Sequence, residues 1–333
     1  MLTGTLGVAS LLVVALVVEP SLFGVHKILG PAQVIPFRGA LALILGVSTL
    51  LIAAAWLILR SSRDWIAVVL VVLLAGNVWN LGVLLDRGVE VDAHSTQTDG
   101  ALVVLSWNTQ GGGASAEQIA RLILEHEADV AMLAETTAET AMEVRDRLAQ
   151  EGYEVSADIT DGGLSYPITP TALVVRAELG EYRHDPGAGS TPGLPSGVWR
   201  PVDPTQPVFV AVHTAPPLPS MMGQWRAGLG WAAAQCDSDV VMAGDSNSTI
   251  DHWNNFTGGT PDADLAGCLD AAAAVGSGSV GTWPTGVPKH FGAPIDHVLA
   301  GSQWKTDSFK VLDDQSAARS DHRPVVAEVS RVE

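Results

Sequence analysis

From Met1 to Asp86 the chain is almost wholly apolar, and that block constrains the fold more than any motif does. A helix needs ~20 apolar residues to cross a bilayer. Three such spans are expected, near residues 5–25, 35–59 and 65–85. The first is the shortest, because Glu19-Pro20 interrupts it after Val18, and it reaches full length only by extending toward Val25. It lacks the basic start of a secretory signal, so the expectation is that it stays in the mature chain. Trp56 and Trp65 flank the short polar loop Arg60-Ser-Ser-Arg-Asp64, where interfacial anchors belong. Asn77 and Asn80, one turn apart, suit hydrogen bonds between helices. Arg60 and Arg63 favour a cytoplasmic loop, which with three spans sends the C-terminal domain outside; Lys27 and Arg38 on the other side weaken that bias.

The rest of the chain reads as a different kind of polymer. The net charge is −18, and through His94 five basic residues balance five acidic ones. The remainder therefore carries 13 basic against 31 acidic residues. Such a domain repels a polyanion and has no basic stripe for non-specific DNA affinity, which disfavours nucleic acid without excluding it as a substrate. Neither Cys236 nor Cys268 belongs to a Cys-x-x-Cys pair, so a thiolate zinc site is ruled out. Met222, Trp225, Leu229, Ala232 and Cys236 share a face at helical spacing, which fits a buried thiol. A disulfide is the alternative if the domain faces an oxidising compartment. The organisation expected is an anchor over 1–88, a polar tether over 89–100 and one catalytic-sized domain over 101–333.

Within that domain strand and helix patterns alternate. Strands are expected at Leu102–Ser106, Asp129–Ala134, Ala172–Arg176, Val208–Thr214, Val240–Ala243, Ile295–Leu299 and Val325–Val329. Helices are expected from the Ser115-x-x-Gln118 capping box to about Glu127, and over Ala138–Gln150. Pro186 to Pro207 reads as a long loop. The fold class is α/β with one layered core.

Polar residues that chemistry can use stand where these strands end. Asn108 follows Val104-Leu-Ser-Trp, Glu135 follows Val130-Ala-Met-Leu-Ala, and His213 closes Val208-Phe-Val-Ala-Val. Asp245 and Asn247 follow Val240-Val-Met-Ala-Gly; Asp296 opens a strand, and Asp321-His322 precede one. Strand ends in layered α/β proteins converge on one edge. Singly, each has an ordinary alternative: a turn for Asn108, a helix-dipole carboxylate for Glu135, a loop position for His213, an Asx turn for Asp245 and Asn247. Asp296 and His297 alternate across their strand, so one of them is structural.

As an ordered set, Trp-Asn (107–108), Leu-Ala-Glu (133–135), Val-His-Thr (212–214), Gly-Asp-Ser-Asn (244–247), Ile-Asp-His (295–297) and Ser-Asp-His (320–322) resemble the endonuclease/exonuclease/phosphatase superfamily. The resemblance implies a four-layer α-β-β-α sandwich, two packed mixed sheets flanked by helices, with a Mg²⁺-dependent site (Mn²⁺ a substitute) at one edge. It implies Glu135 as main metal ligand, with Asn108 beside it and Asp321 in support. Asp245 would orient and deprotonate the attacking water, Asn247 would bind a non-bridging phosphate oxygen, and His213 would stabilise the oxyanion or protonate the leaving group. His322, oriented by Asp296, would contact the phosphate; Asp245 and the His322–Asp296 pair both stand as candidate bases. Ala134 stands where many members have Gln and Ser246 where Phe or Leu is commoner, both outside the chemical positions. Tyr166, Arg200, Lys289 and His290 are candidate phosphate contacts, with a surface role the favoured alternative for each.

Apolar helices ahead of such a domain, with Gly-Thr-Trp-Pro (281–284) and Pro-Ile-Asp-His (294–297), resemble the bacterial glycopeptide (teicoplanin) resistance phosphatases. That branch implies a multi-pass membrane enzyme with an outward-facing domain acting on a polyprenyl diphosphate or other lipid-linked phosphate. The alternatives are a surface nuclease or sphingomyelinase-like phosphodiesterase, and a non-catalytic membrane protein that binds a ligand.

Overall fold

The computed structural model describes residues 2–94, 100–160, 169–253, 264–313 and 318–332. Four helices come first: α1 (Leu2–Val18), the short α2 (Pro31–Val34), α3 (Arg38–Ile58) and α4 (Arg63–Arg87). Among the described residues two helical stretches are long and apolar enough to cross a membrane, Pro31–Ile58 and Arg60–Arg87. α1 is apolar too, but its 17 residues rise about 25 Å, short of a hydrocarbon core of about 30 Å. α1 and α3 both pack along α4. Arg38 donates from Nη1 to the carbonyl of Val18 and to Asn80 Oδ1, each at 3.0 Å, and Asn80 Nδ2 returns a bond to the Arg38 carbonyl. Asn80 thus joins helices, as its mid-helix place suggests.

The catalytic-sized domain opens with β1 (Asp92–His94), β2 (Leu102–Asn108), α5 (Ala116–Glu125), β3 (Val130–Ala134) and α6 (Ala138–Gln150). There follow β4 (Val155–Ile159), β5 (Ala172–Arg176), β6 (Tyr182–His184), β7 (Gly197–Pro201), β8 (Val208–His213), α7 (Met222–Gln235) and β9 (Val240–Asp245). The chain closes with α8 (Ile250–Trp253), β10 (Leu269–Asp270), α9 (Ala271–Ala274), β11 (Asp296–Ala300), β12 (Trp304–Val311) and β13 (Val325–Arg331). One sheet has the order β1-β12-β13-β2-β3-β5-β4, the other β10-β11-β9-β8-β7-β6. Each holds one parallel pair, β2 with β3 and β8 with β9, among antiparallel neighbours.

Strand periodicity builds the layers, since successive side chains face opposite sides. Val104, Met132, Phe209, Val241 and Val298 meet between the two sheets. Leu105, Leu133 and Val174 face outward onto Ile119, Leu122, Val144 and Leu148 of α5 and α6. Val210 and Met242 face the other way, onto Ala232 of α7 and Trp253. The result is an α/β sandwich of two mixed sheets with helices outside.

Several stretches depart from the sequence reading, and β4, β6 and β12 were not among the strands expected. Asp92–His94, taken as tether, adds an edge strand to β12; residues 95–99 of that tether lie outside the described residues. The loop expected over Pro186–Pro207 contains β7, whose Gly and Pro neighbours hide a buried Val198-Trp199. Cys236 and Cys268 are joined in a disulfide.

Candidate active site

The same period-two alternation decides which side chains meet. Val104 faces the space between the sheets, so Ser106 and Asn108 on β2 do as well. Phe209 and Ala211 carry that face along β8 to His213, Val241 and Ala243 carry it along β9 to Asp245, and Val298 carries it back along β11 to Asp296. The apolar interior therefore ends in a polar cap at one edge. Parallel pairing sets His213 beside Asp245, and antiparallel pairing sets Asp296 beside Asp245. Asp321 and His322 arrive at this edge because β13 runs antiparallel to β2, with Val325 opposite Ser106.

Backbone shape completes the edge. Gly244 has φ of +146°, and a Cβ there would lie 1.9 Å from the Val212 carbonyl oxygen, so the strand before Asp245 needs glycine. Glu135 and Asn247 sit in the left-handed region, at φ of 55° and 46°. Such a conformation is uncommon outside glycine and concentrates at functional sites. Thr109 Oγ1 donates to the Glu135 carbonyl at 2.9 Å, and Asp245 Oδ1 accepts the Asn247 backbone N–H at 2.8 Å.

These residues share a cleft of about 490 Å³ lined by Asn108, Glu135, His213, Asp245, Asn247, Asp321 and His322. Asn108 Nδ2 reaches Glu135 Oε1 at 3.1 Å and Asp245 Oδ2 at 3.0 Å, while its Oδ1 accepts the Gln110 N–H at 2.9 Å. Its nitrogen thus faces the carboxylates, and its oxygen is engaged by backbone. His213 Nε2 stands 3.7 Å from Glu135 Oε1 and 3.8 Å from Asp245 Oδ2. His322 Nε2 stands 3.7 Å from Asp245 Oδ2 and 3.9 Å from Asp321 Oδ1. Asp296 lies behind the cleft wall, its oxygens 3.0 and 2.9 Å from His322 Nδ1. All eight residues expected from the sequence therefore gather at one place. His297 points to the opposite face, between Asp270 and the Ser248 carbonyl.

The two site histidines differ in charge. Burial pulls His322 down, but Asp296 and Asp245 more than offset this and raise it to about 10. Burial pushes His213 below its ordinary value, so it is neutral at pH 7. Burial, reinforced by Asp296 against the nearby histidines, pushes Asp245 upward. Asp245, Asp296 and His322 bring ligand-type atoms within 4.8 Å of one another. His322 Nδ1 is already committed to Asp296 and its Nε2 stands 3.7 Å from Asp245, so this trio is an acid–base group built on one hydrogen-bonded pair.

A divalent cation fits the remaining donors. Glu135 and Asp321 keep side chains 32% and 42% exposed on the cleft. The donors are hard carboxylate oxygens with no thiolate among them, the chemistry that Mg²⁺-like ions take.

Several supporting residues went unrecognised in the sequence. Trp283 Nε1 donates to Asp321 Oδ2 at 2.8 Å, and Gln110 Oε1 accepts the Asp321 N–H at 3.1 Å. Ser320 Oγ ties the Asn108 carbonyl at 2.6 Å and accepts the His322 N–H. Trp107 Nε1 holds the His322 carbonyl at 2.9 Å. Trp107 and Trp283 stood inside the quoted motifs, which was the available signal. Arg200 pairs with Asp185 and Lys289 with Asp313; neither they nor His290 line the cleft. Tyr166 lies outside the described residues.

Comparison with known proteins agrees with this geometry. No curated protein matches the chain by sequence. Among solved structures, a Bacteroides thetaiotaomicron endonuclease/exonuclease/phosphatase family protein superposes with a TM-score of 0.51 at 15% identity, covering 71% of this chain and 100% of that one. A humanized D. rerio TDP2 gives 0.50 at 16% identity, covering 69% and 99%. The endonuclease/exonuclease/phosphatase from Beutenbergia cavernae DSM 12333 gives 0.50 at 16%, covering 69% and 72%. At such identities the likeness speaks for the fold. Residues 105–322 match the model of the endonuclease/exonuclease/phosphatase family. The chain belongs to that family of metal-dependent phosphoric ester hydrolases.

Proposed function

We propose that this protein is a membrane-anchored, Mg²⁺-dependent phosphoesterase that hydrolyses a lipid-linked phosphate or diphosphate, of the polyprenyl diphosphate kind. One observation carries the reading: the ends of the apolar helices are bolted to the domain next to the catalytic edge. Asp251, six residues after Asp245, accepts from Arg38 Nε and Nη2 at 3.0 and 2.6 Å, and from both Nη atoms of Arg87 at 2.7 Å. Arg38 begins α3 and Arg87 ends α4, so both helices meet the catalytic domain on one side. A catalytic edge at the foot of an anchor suits a substrate that never leaves the bilayer, and the net charge of −18 weighs against a polyanion.

Three spans, with α1 crossing a thinned bilayer, would put the Arg60–Arg63 loop on the cytoplasmic side and the domain outside. The Cys236–Cys268 disulfide supports the same side, since disulfides persist in oxidising compartments.

In the reaction, Glu135 and Asp321 would hold the ion, with Asn108 bracing Glu135 through Nδ2. When bound, the ion supplies positive charge against the charge crowding on phosphorus. Asp245 takes the proton of the attacking water. His322, held by Asp296, presents its Nε2–H to a phosphate oxygen as a cation, which leaves Asp245 as the base. Asn247 Nδ2, 3.2 Å from Asp245 Oδ2, turns to a non-bridging oxygen. His213, neutral, donates to the leaving oxygen as charge develops there.

The test is a panel of polyprenyl diphosphate, choline-type phosphodiester lipid and plasmid DNA, offered with Mg²⁺ to the purified full chain and to Asp245→Ala. Phosphate release from the diphosphate, absent in the variant, is expected. Ready DNA cleavage with an untouched lipid diphosphate would end the reading.

A further inference from the structure

The catalytic cleft is not walled by the catalytic domain alone. Ala32, Gln33, Pro36 and Phe37, which lead into α3, form one side of it, and Pro217 and Leu218 stand among its other lining residues. The segment is seated by specific contacts. His252 Nε2 meets the Ala32 carbonyl at 3.1 Å. Gln33 Nε2 bonds the Pro217 carbonyl and lies 3.7 Å from Met222 Sδ. Ala32 packs with Met222, Trp225 and Leu229 of α7, and Trp225 Nε1 holds the Asn247 carbonyl at 3.0 Å. The Phe37 ring centroid lies 6.0 Å from that of Trp283, whose indole holds Asp321. In the segment that leads into this wall the chain exposes Leu22, Phe23, Ile28, Leu29 and Val34, and Leu218 is 51% exposed.

A polar floor with an apolar wall is an odd surround for a soluble phosphate ester, whose whole surface is hydrated. It suits an amphiphile whose phosphate reaches the floor while its first carbons lie along the wall. We propose that the segment Pro31–Phe37, with Leu218 facing it, grips the hydrocarbon next to the substrate's phosphate, so that the anchor is part of the substrate site. This rests on the lipid-phosphate reading and adds to it: selection among phosphate esters comes from the first few carbons beyond the phosphate, and residues ahead of the catalytic fold share in making it.

The test uses the full chain in detergent micelles with Mg²⁺ and a series of monoalkyl phosphates from ethyl to octyl, each below its own micelle-forming concentration. kcat and KM are measured for each length. The expected result is a fall in KM with length, up to about fourfold per methylene over the first few carbons, and a nearly constant kcat. Phe37→Ser flattens the series and Phe37→Leu restores it. Leu218→Ser, at an exposed position where folding is not at stake, lowers the slope independently. A wild-type KM that ignores chain length, or a slope unchanged in both serine variants, overturns the proposal while leaving phosphoesterase activity standing. No turnover of any alkyl phosphate or of polyprenyl diphosphate, with DNA cleaved instead, removes the underlying lipid reading as well.

Discussion

His322 and Asp245 carry the division of labour at the edge. An imidazole pressed against Asp296 and open to Asp245 stays protonated well above neutrality, to about 10. The folded metal-free chain therefore keeps a proton that the unfolded chain releases near the ordinary value of 6.5. His322 contributes stability that is fully present below pH 6.5 and is lost as pH rises toward 10. Denaturation of the metal-free protein across that window should show His322 contributing a fall in stability, and His322→Gln should flatten the trend; His297, raised against burial by Asp270, contributes to the slope that remains. Asp296→Asn is expected to lower the His322 pKa and to bring the alkaline limit of kcat/KM to lower pH, with activity reduced about 10²-fold or more. The eight residues that gather at the edge stand at or beside strand ends in the sequence, but the resemblance of the ordered set to a known family is what singled them out; strand alternation accounts for why the fold brings them together. Which atom of Asn108 faces the carboxylates was not, since that depends on the Gln110 N–H two residues on.

At the scale of elements, two devices hold the substructures in place. Asp251 lies between Arg38 and Arg87, and against the opposing effect of burial these guanidiniums hold its carboxyl well below the ordinary range. Asp251→Asn leaves two guanidiniums short of a counter-charge and should cost about 3–5 kcal/mol. Thermal unfolding in detergent, with proteolysis of the 19–37 segment as a second readout, measures it; an unchanged melting temperature would contradict the clamp. The Cys236–Cys268 link closes a loop of sequence separation 32 at the end of α7. Cys236→Ser is expected to cost about 2–4 kcal/mol, seen as a lower denaturation midpoint under oxidising conditions. Sequence patterns served the central strands well, because buried parallel strands read as apolar runs. They served the outer strands, one in from the edge, poorly. β12 sets Lys305, Thr306, Asp307, Ser308 and Lys310 among Trp304, Phe309 and Val311 and bulges between Thr306 and Ser308, and β7 is framed by turn residues. The clamp was illegible because its three members lie far apart in sequence and each passes for a surface or interfacial charge.

At the scale of the whole molecule, Arg38 and Arg87 of the apolar helices and Asp251 of the domain tie the two parts together beside the cleft. A reporter active only outside the cytoplasm, fused after Glu333, should be active, with the Arg60–Arg63 loop protected from external labelling; the reverse pattern would place the domain inside. The most direct test of the central claim is phosphate release from polyprenyl diphosphate in bilayer discs carrying the full chain, titrated with Mg²⁺. Saturable dependence on Mg²⁺ is expected, abolished by EDTA, with Glu135→Gln slower by about 10³-fold. Release that is indifferent to EDTA, or that survives Glu135→Gln unchanged, would contradict it.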